Sequence, residues 1–119
     1  MPTLRYFVSR GGGSELAERA GSGEVAPLEP ADQAPLRASD PVIFRWTADA
    51  RAAYYRLEVT DSAGTAILGA VLPAGTLAYR APPWLAERAG PGGARWRIVA
   101  LDPKGEVVRR TGWRALRAG

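Results

Sequence analysis

Tyr54-Tyr55-Arg56-Leu57-Glu58-Val59-Thr60 runs directly into Asp61-Ser62-Ala63-Gly64. On an extended chain Tyr55, Leu57 and Val59 fall on one side, and Tyr54, Arg56, Glu58 and Thr60 on the other. Apolar and polar residues alternating with period two mark a half-buried antiparallel strand. An aspartate that opens a turn bonds the backbone ahead of it, and a glycine at the end accepts positive φ. The four residues therefore read as a hairpin turn. The uncharged run that starts at Thr65 and ends at Leu72 reads as the returning strand.

The same pattern recurs on both sides of this hairpin. In Val42-Ile43-Phe44-Arg45-Trp46 the alternation puts Val42, Phe44 and Trp46 on one face. Residues 94–101 put Trp96, Ile98 and Ala100 on one face and Arg95, Arg97 and Val99 on the other. Asp102-Pro103-Lys104-Gly105 repeats the turn chemistry, and residues 106–116 form a last strand interrupted by a bulge near Gly112. Residues 24–28 read as a first edge strand, where Pro27 is tolerated, and Pro30, Asp32 and Pro35 supply turns. Residues 76–80 make a short strand carrying Leu77 and Tyr79, and residues 84–89 one helical turn after Pro82-Pro83. The sum is an all-β, antiparallel sandwich of about seven strands, with hairpin-length turns at the usual spacing. Without a long amphipathic helix, a βαβ architecture is excluded.

A chain of 119 residues with 46% hydrophobic content has the size and apolar share of one domain. The apolar residues are concentrated after the first forty. Gly11-Gly12-Gly13-Ser14 and Gly21-Ser22-Gly23 mark residues 1–23 as a flexible N-terminal tether, with residues 24–119 as the domain. A Gly-rich phosphate loop is not the reading here, because no strand-to-helix context with Lys and Ser/Thr surrounds the glycines. No stretch reaches the eighteen or so apolar residues of a membrane span. The chain reads as soluble.

The sequence has no cysteine and no histidine. Disulfides, Cys/His zinc sites and nucleophile systems built on histidine are thereby excluded. No metal, no cofactor and no catalytic residue is expected, and the chain reads as a non-enzyme. The formal charge is +4, distributed unevenly. Residues 1–50 hold five arginines against seven acids; residues 51–119 hold ten arginines and Lys104 against five acids. Such a balance attracts anionic partners. Arginine in place of lysine, with abundant Ala, Gly and Pro, is also what a GC-rich genome writes.

Phe44-Arg45-Trp46, Tyr55-Arg56-Leu57-Glu58-Val59 with its Asp61–Gly64 turn, and residues 95–102 with Gly105 resemble a bacterial fibronectin type III-like or immunoglobulin-like domain. The variety they are most similar to lies on the extracytoplasmic side of membrane-anchored proteins resembling anti-sigma factors. The resemblance spans residues 24–118 and implies a non-enzymatic protein-interaction or spacer module, tethered through its N-terminus at the periplasmic or cell-surface side. Arg10-Gly11-Gly12-Gly13 resembles the arm that follows the membrane helix in those proteins. Ala94 stands where fibronectin-like domains commonly carry a tyrosine, two residues before the strand tryptophan.

Trp46 and Trp96 alternate with core residues and are expected to be buried against Tyr55, Leu57 and Ile98. Trp84, in a connection, and Trp113, beside the bulge, are left to cover an end of the sandwich or to bind. With Tyr54 they form the candidate set for a carbohydrate-binding module. Arg56, Arg95 and Arg97, joined by Arg109 or Arg110, form an outward arginine face, solvated or meeting an anionic partner. Nucleic acid is disfavoured, since Tyr54 is the only aromatic expected on that face. The uncharged run from Thr65 to Leu72 is the least protected edge and the expected route of any weak self-association, with a lysine at Ala70 as its test.

Overall fold

The computed structural model describes residues 23–119. The tether read from the sequence, residues 1–23, lies outside the described residues apart from Gly23.

Among the described residues, nine strands and one short helix follow in order. They are β1 (Pro27–Glu29), β2 (Ala34–Leu36), β3 (Ile43–Trp46), β4 (Tyr54–Asp61), β5 (Ala66–Pro73), β6 (Ala78–Arg80), α1 (Leu85–Ala89), β7 (Ala94–Leu101), β8 (Val107–Arg110) and β9 (Arg114–Ala118). One sheet has the order β1-β3-β6. The other has the order β2-β9-β7-β4-β5, with β8 also paired to β7. The β4–β5 hairpin forms as its sequence dictates. Asp61 Oδ1 accepts the N–H groups of Ala63 and Thr65, each at 2.9 Å, and Gly64 takes φ 89°. The β7–β8 turn repeats this chemistry, with Asp102 Oδ1 accepting from Lys104 and Glu106, each at 2.9 Å, and Gly105 at φ 87°.

The core lies between the two sheets. Phe44 and Trp46 from β3 meet Tyr55, Leu57, Val59, Trp96, Ile98 and Ala100 from β4 and β7, all fully shielded from solvent. Phe44 stands edge-on to Trp96 at 5.0 Å between ring centroids, and Trp46 edge-on to Tyr55 at 5.9 Å. Edge-to-face aromatic pairs at such separations add about 0.5–1.5 kcal/mol each to the apolar burial. Leu85 and Ala89 of α1, in the β6–β7 connection, are buried in the core, and the helix packs beside β4 and β5. The face assignments of Trp46 and Trp96 from alternation are therefore those of the fold.

Two features depart from the sequence reading, and a third follows it. The first strand sits at Pro27–Glu29, and the stretch with Asp32 and Pro35, read as turns, contains β2. β2 pairs in parallel with β9, Leu36 facing Ala118, so the pairing is antiparallel-rich and not wholly antiparallel. Three residues including a proline carry no alternation of their own. Their strand state is imposed by β9 and by Asp32 Oδ1, which accepts the Ala115 N–H at 2.8 Å. The last strand is divided at Gly112, as its glycine suggested. β8 pairs with the end of β7 and β9 with its beginning, while Thr111 Oγ1 accepts the Ile98 N–H at 3.1 Å in the gap.

β5 ends the larger sheet, so the uncharged run read from the sequence does lie at an edge among the described residues. Its Ala70 stands opposite Leu57 and packs towards the core, whereas Val71 points outward and is 62% exposed. A lysine at Ala70 would therefore disturb packing, and Val71 is the position at which to test the edge.

Replacing Trp96 with Ala removes a fully buried indole together with its contact to Phe44. The expected loss is about 3–5 kcal/mol of unfolding free energy. Urea titration followed by circular dichroism measures it; a loss below about 1 kcal/mol would show that the indole is not a core element.

Candidate functional site

The outer face of the six-stranded sheet is built by the residues of β4 and β7 that alternation turns away from the core. On β4 these are Tyr54, Arg56, Glu58 and Thr60, and on β7 Arg95, Arg97, Val99 and Leu101. The register sets them in rows: Tyr54 opposite Leu101, Arg56 opposite Val99, Glu58 opposite Arg97, Thr60 opposite Arg95. On the far side of β7, Arg110 stands opposite Val99 and Val107 opposite Leu101. On the far side of β4, Val71 stands opposite Arg56 and Gly69 opposite Glu58.

Glu58 organises the centre of the face. Its Oε2 accepts the Arg56 Nε–H at 2.7 Å and its Oε1 accepts the Arg97 Nε–H at 2.8 Å. Partial burial pushes the Glu58 carboxyl up, but the hydrogen bonds and charges of Arg97 and Arg56 outweigh it and hold the group below the ordinary glutamate range. Arg97 is held from another side too, its guanidinium lying 4.4 Å from the centre of the Trp113 ring, with Arg95 at 5.7 Å. A cation over an indole face is attracted by the ring quadrupole. Arg95 and Arg110 are exposed and form no ion pair among the described residues.

Beneath this charged layer the face is apolar. Val99 and Leu101 are buried, yet they belong to the outer side of β7 and stand apart from the inter-sheet core cluster. Their cross-strand neighbours are Arg56 and Arg110 for Val99, and Tyr54 and Val107 for Leu101. Arginine stems shield apolar surface while the guanidinium stays in water. Tyr54, Val71, Val107 and Trp113 remain exposed over about 37–62% of their surface.

The fold thus brings Tyr54, Arg56, Arg95, Arg97 and Trp113 to one face. Trp84 lies elsewhere: it opens α1 in the β6–β7 connection, where the Arg88 guanidinium sits 5.4 Å from its ring. Tyr54 is thus not the only aromatic on the arginine face, because the break at Gly112 turns Trp113 onto Arg97. Strand alternation across a bulge does not predict that orientation. Of the two candidate arginines on the last strand, Arg110 joins the face. Arg109 instead reaches Asp49 and Glu24, its Nε 3.5 Å from Asp49 Oδ2 and its Nη2 3.2 Å from Glu24 Oε2.

Asp49 carries no sequence signal and proves to be a buried anchor. Its carboxylate accepts the Val25 N–H at 3.2 Å and the Arg51 N–H at 3.0 Å, and its own N–H donates to the Tyr55 hydroxyl at 2.7 Å. Burial raises the Tyr55 phenol above its ordinary value. This cluster ties the entry to β1 to the β3–β4 loop and is structural in kind.

A cleft of about 320 Å³ opens at the seam between β2 and β3, lined by Leu36, Val42, Ile43 and Leu116 among others. Its two acids each face an arginine, Glu29 with Arg45 at 3.2 Å and Asp40 with Arg37 at 3.7 Å. Among the described residues no group of acidic side chains is placed to hold a metal ion, and no helix is long and apolar enough to cross a membrane.

No protein-family model and no curated protein matches the chain. Solved structures do. An Fn3-like protein from Clostridium thermocellum superposes with a TM-score of 0.51 at 13% identity, covering 78% of this chain and 91% of that one. The fold is fibronectin type III-like. A β-1,2-glucanase from Parabacteroides distasonis superposes with a TM-score of 0.53 at 16% identity over 78% of this chain, which corresponds to only 13% of the glucanase. At these identities the likeness is one of fold.

Within this fibronectin type III-like sandwich, the lowered Glu58 carboxyl gives a signed pH dependence. A group that binds its proton less readily folded than unfolded stabilises the fold above the ordinary carboxylate range, and the gain fades as pH falls through the lowered folded value. Glu58→Gln is expected to cost about 1 kcal/mol near neutral pH, with the gap shrinking as the pH is lowered below the ordinary glutamate range. Urea titrations of both proteins across that range measure the gap; a gap independent of pH would show that the carboxylate charge is not what holds the arginines.

Proposed function

We propose that this sandwich is a non-catalytic interaction module that meets a protein partner through the outer face of its six-stranded sheet. The observation that carries the reading is the make-up of that face. Exposed Tyr54, Trp113, Val71 and Val107 surround an arginine layer that rests on buried Val99 and Leu101. Protein interfaces are enriched in tyrosine, tryptophan and arginine and depleted in lysine, and their energy concentrates in such residues. Arg97, fixed between Glu58 and Trp113, loses little freedom on association.

The non-catalytic part of the reading rests on residue chemistry. Histidine and cysteine are lacking in the whole chain. Glu58 and Asp49 are held by arginines, and Asp61 and Asp102 are spent on turn amides. Glycosidase chemistry needs two carboxylates facing across one cleft, and the seam cleft offers acids already facing arginines. The likeness to a small fraction of a glucanase supports a sandwich that serves as a module of larger proteins.

Panning a displayed library of random dodecapeptides on the domain tests the reading. Binders are expected to lose about tenfold or more in affinity on Val71→Lys or Tyr54→Glu and to be unaffected by Arg45→Glu on the other sheet. Binders that ignore both outer-face substitutions, or glycan-array binding lost on Trp84→Ala, would replace this reading with another surface. In the absence of a partner the β5 edge is the expected route of self-association. Sedimentation should show a wild-type mass that rises with concentration and a Val71→Lys mass that does not.

We also read the module as bacterial and extracytoplasmic, the side on which the anti-sigma-factor-like domains it resembles are found. Protease added to intact spheroplasts that express the full reading frame should degrade the domain and spare a cytoplasmic marker. Protection equal to the marker's would place the domain inside.

A further inference from the structure

We infer that the partner surface is acidic, with carboxylates seated on Arg95 and Arg97 at the Trp113 ring and on Arg110 of the adjoining strand; this rests on the outer-face reading above. The face carries Arg56, Arg95, Arg97 and Arg110 against one acid, Glu58, whose two oxygens are already taken by Arg56 and Arg97. Three positive charges are left over on three adjacent strands, β4, β7 and β8. Like charges in neighbouring rows repel, and the cost grows as apolar surface lowers the local dielectric. Buried Val99 stands between Arg56 and Arg110 in one cross-strand row, so the two arginines flank an apolar position.

The arrangement is preorganised for carboxylates. Arg97 spends its Nε–H on Glu58 and stacks on Trp113, which fixes the plane of the guanidinium. A planar fork held in place suits bidentate pairing with a carboxylate. Arg95 leans on the same ring from the neighbouring row. Arg110 stands diagonally from Arg97 across β7 and β8, since its partner is Val99, two residues on. Two guanidinium groups thus share one indole, and Arg110 stands on the adjoining strand.

The apolar neighbours favour a polypeptide over a nucleic acid. Beside the arginines, exposed Tyr54 and Val107 flank Leu101, and exposed Val71 flanks Arg56 on the edge strand. Acidic side chains interleaved with aliphatic ones match both parts of the face. A nucleic-acid strand instead needs successive stacking aromatics along a basic track, and the one tryptophan on this face already carries Arg97.

The test uses the dodecapeptide library panned in parallel on wild-type domain and on an Arg95→Glu/Arg110→Glu double variant. Both positions are exposed, and thermal melts establish that the variant is folded. The wild-type pool is expected to be enriched in Asp and Glu, and the variant pool to lose that enrichment. A selected acidic peptide should weaken about tenfold on Arg95→Ala/Arg110→Ala, and weaken again when salt is raised to about 0.15 M or beyond. Binders that depend on Val71 but show no acidic enrichment would overturn the acidic partner and leave the interaction face standing. Binders that ignore the outer face altogether would overturn both. Tighter binding of a labelled single-stranded oligonucleotide than of the best acidic peptide at about 0.15 M salt would assign the arginines to nucleic acid and overturn the proposal.

Discussion

Two edge-to-face aromatic contacts across the sandwich, Phe44 on Trp96 and Trp46 on Tyr55, join the short sheet to the long one. β1, β3 and β6 are only three or four residues each, too short to stand as an independent sheet. β3 is held because its two inward rings fill the space between the sheets, and β1 and β6 pair onto β3 in turn. The Tyr55 hydroxyl extends the same joint, since it accepts the Asp49 N–H while the Asp49 carboxylate holds Val25. The inner face of β4 therefore positions both the second sheet and the entry to the first strand.

The outer face depends on that inner face through the period of the strand. Once Tyr55, Leu57, Val59, Trp96, Ile98 and Ala100 point inward, the residues between them must point outward. Pairing β4 with β7 in this register then places Glu58 beside Arg97 and leaves Val99 and Leu101 on the outside. Two apolar residues on a solvent face need covering, and the register sets Arg56, Arg110, Tyr54 and Val107 beside them. The result is a surface that is charged at its top and apolar beneath. A solvated face needs no such layering. A docking face gains from it, because displaced water uncovers apolar area while the charges set orientation.

The sandwich itself was legible in the sequence because its longest strands alternate without interruption and its turns use aspartate and glycine at fixed offsets. The same alternation placed Trp46 and Trp96 inside and Tyr54, Arg56, Arg95 and Arg97 outside. It failed where local pattern carries no information. β2 is a strand because β9 is beside it, and its own three residues include a proline. The division of the last strand at Gly112 was signalled by the glycine, but not the consequence that Trp113 lies on Arg97. Asp49 looked like one more loop acid until the fold brought Val25, Tyr55 and Arg109 to it.

By itself, then, the sequence determined the β class, the hairpins, the core faces of the long strands and the want of histidine or cysteine chemistry. These are local properties, set by side-chain period, turn stereochemistry and residue type. Only the tertiary structure decided which arginines share a carboxylate, which tryptophan joins them, which strand is an edge and which residue on it faces outward. These depend on register and on contacts between residues far apart in the chain. Arg97 and Glu58 meet because an antiparallel ladder sets them opposite each other, and nothing in the sequence near either residue encodes the pair.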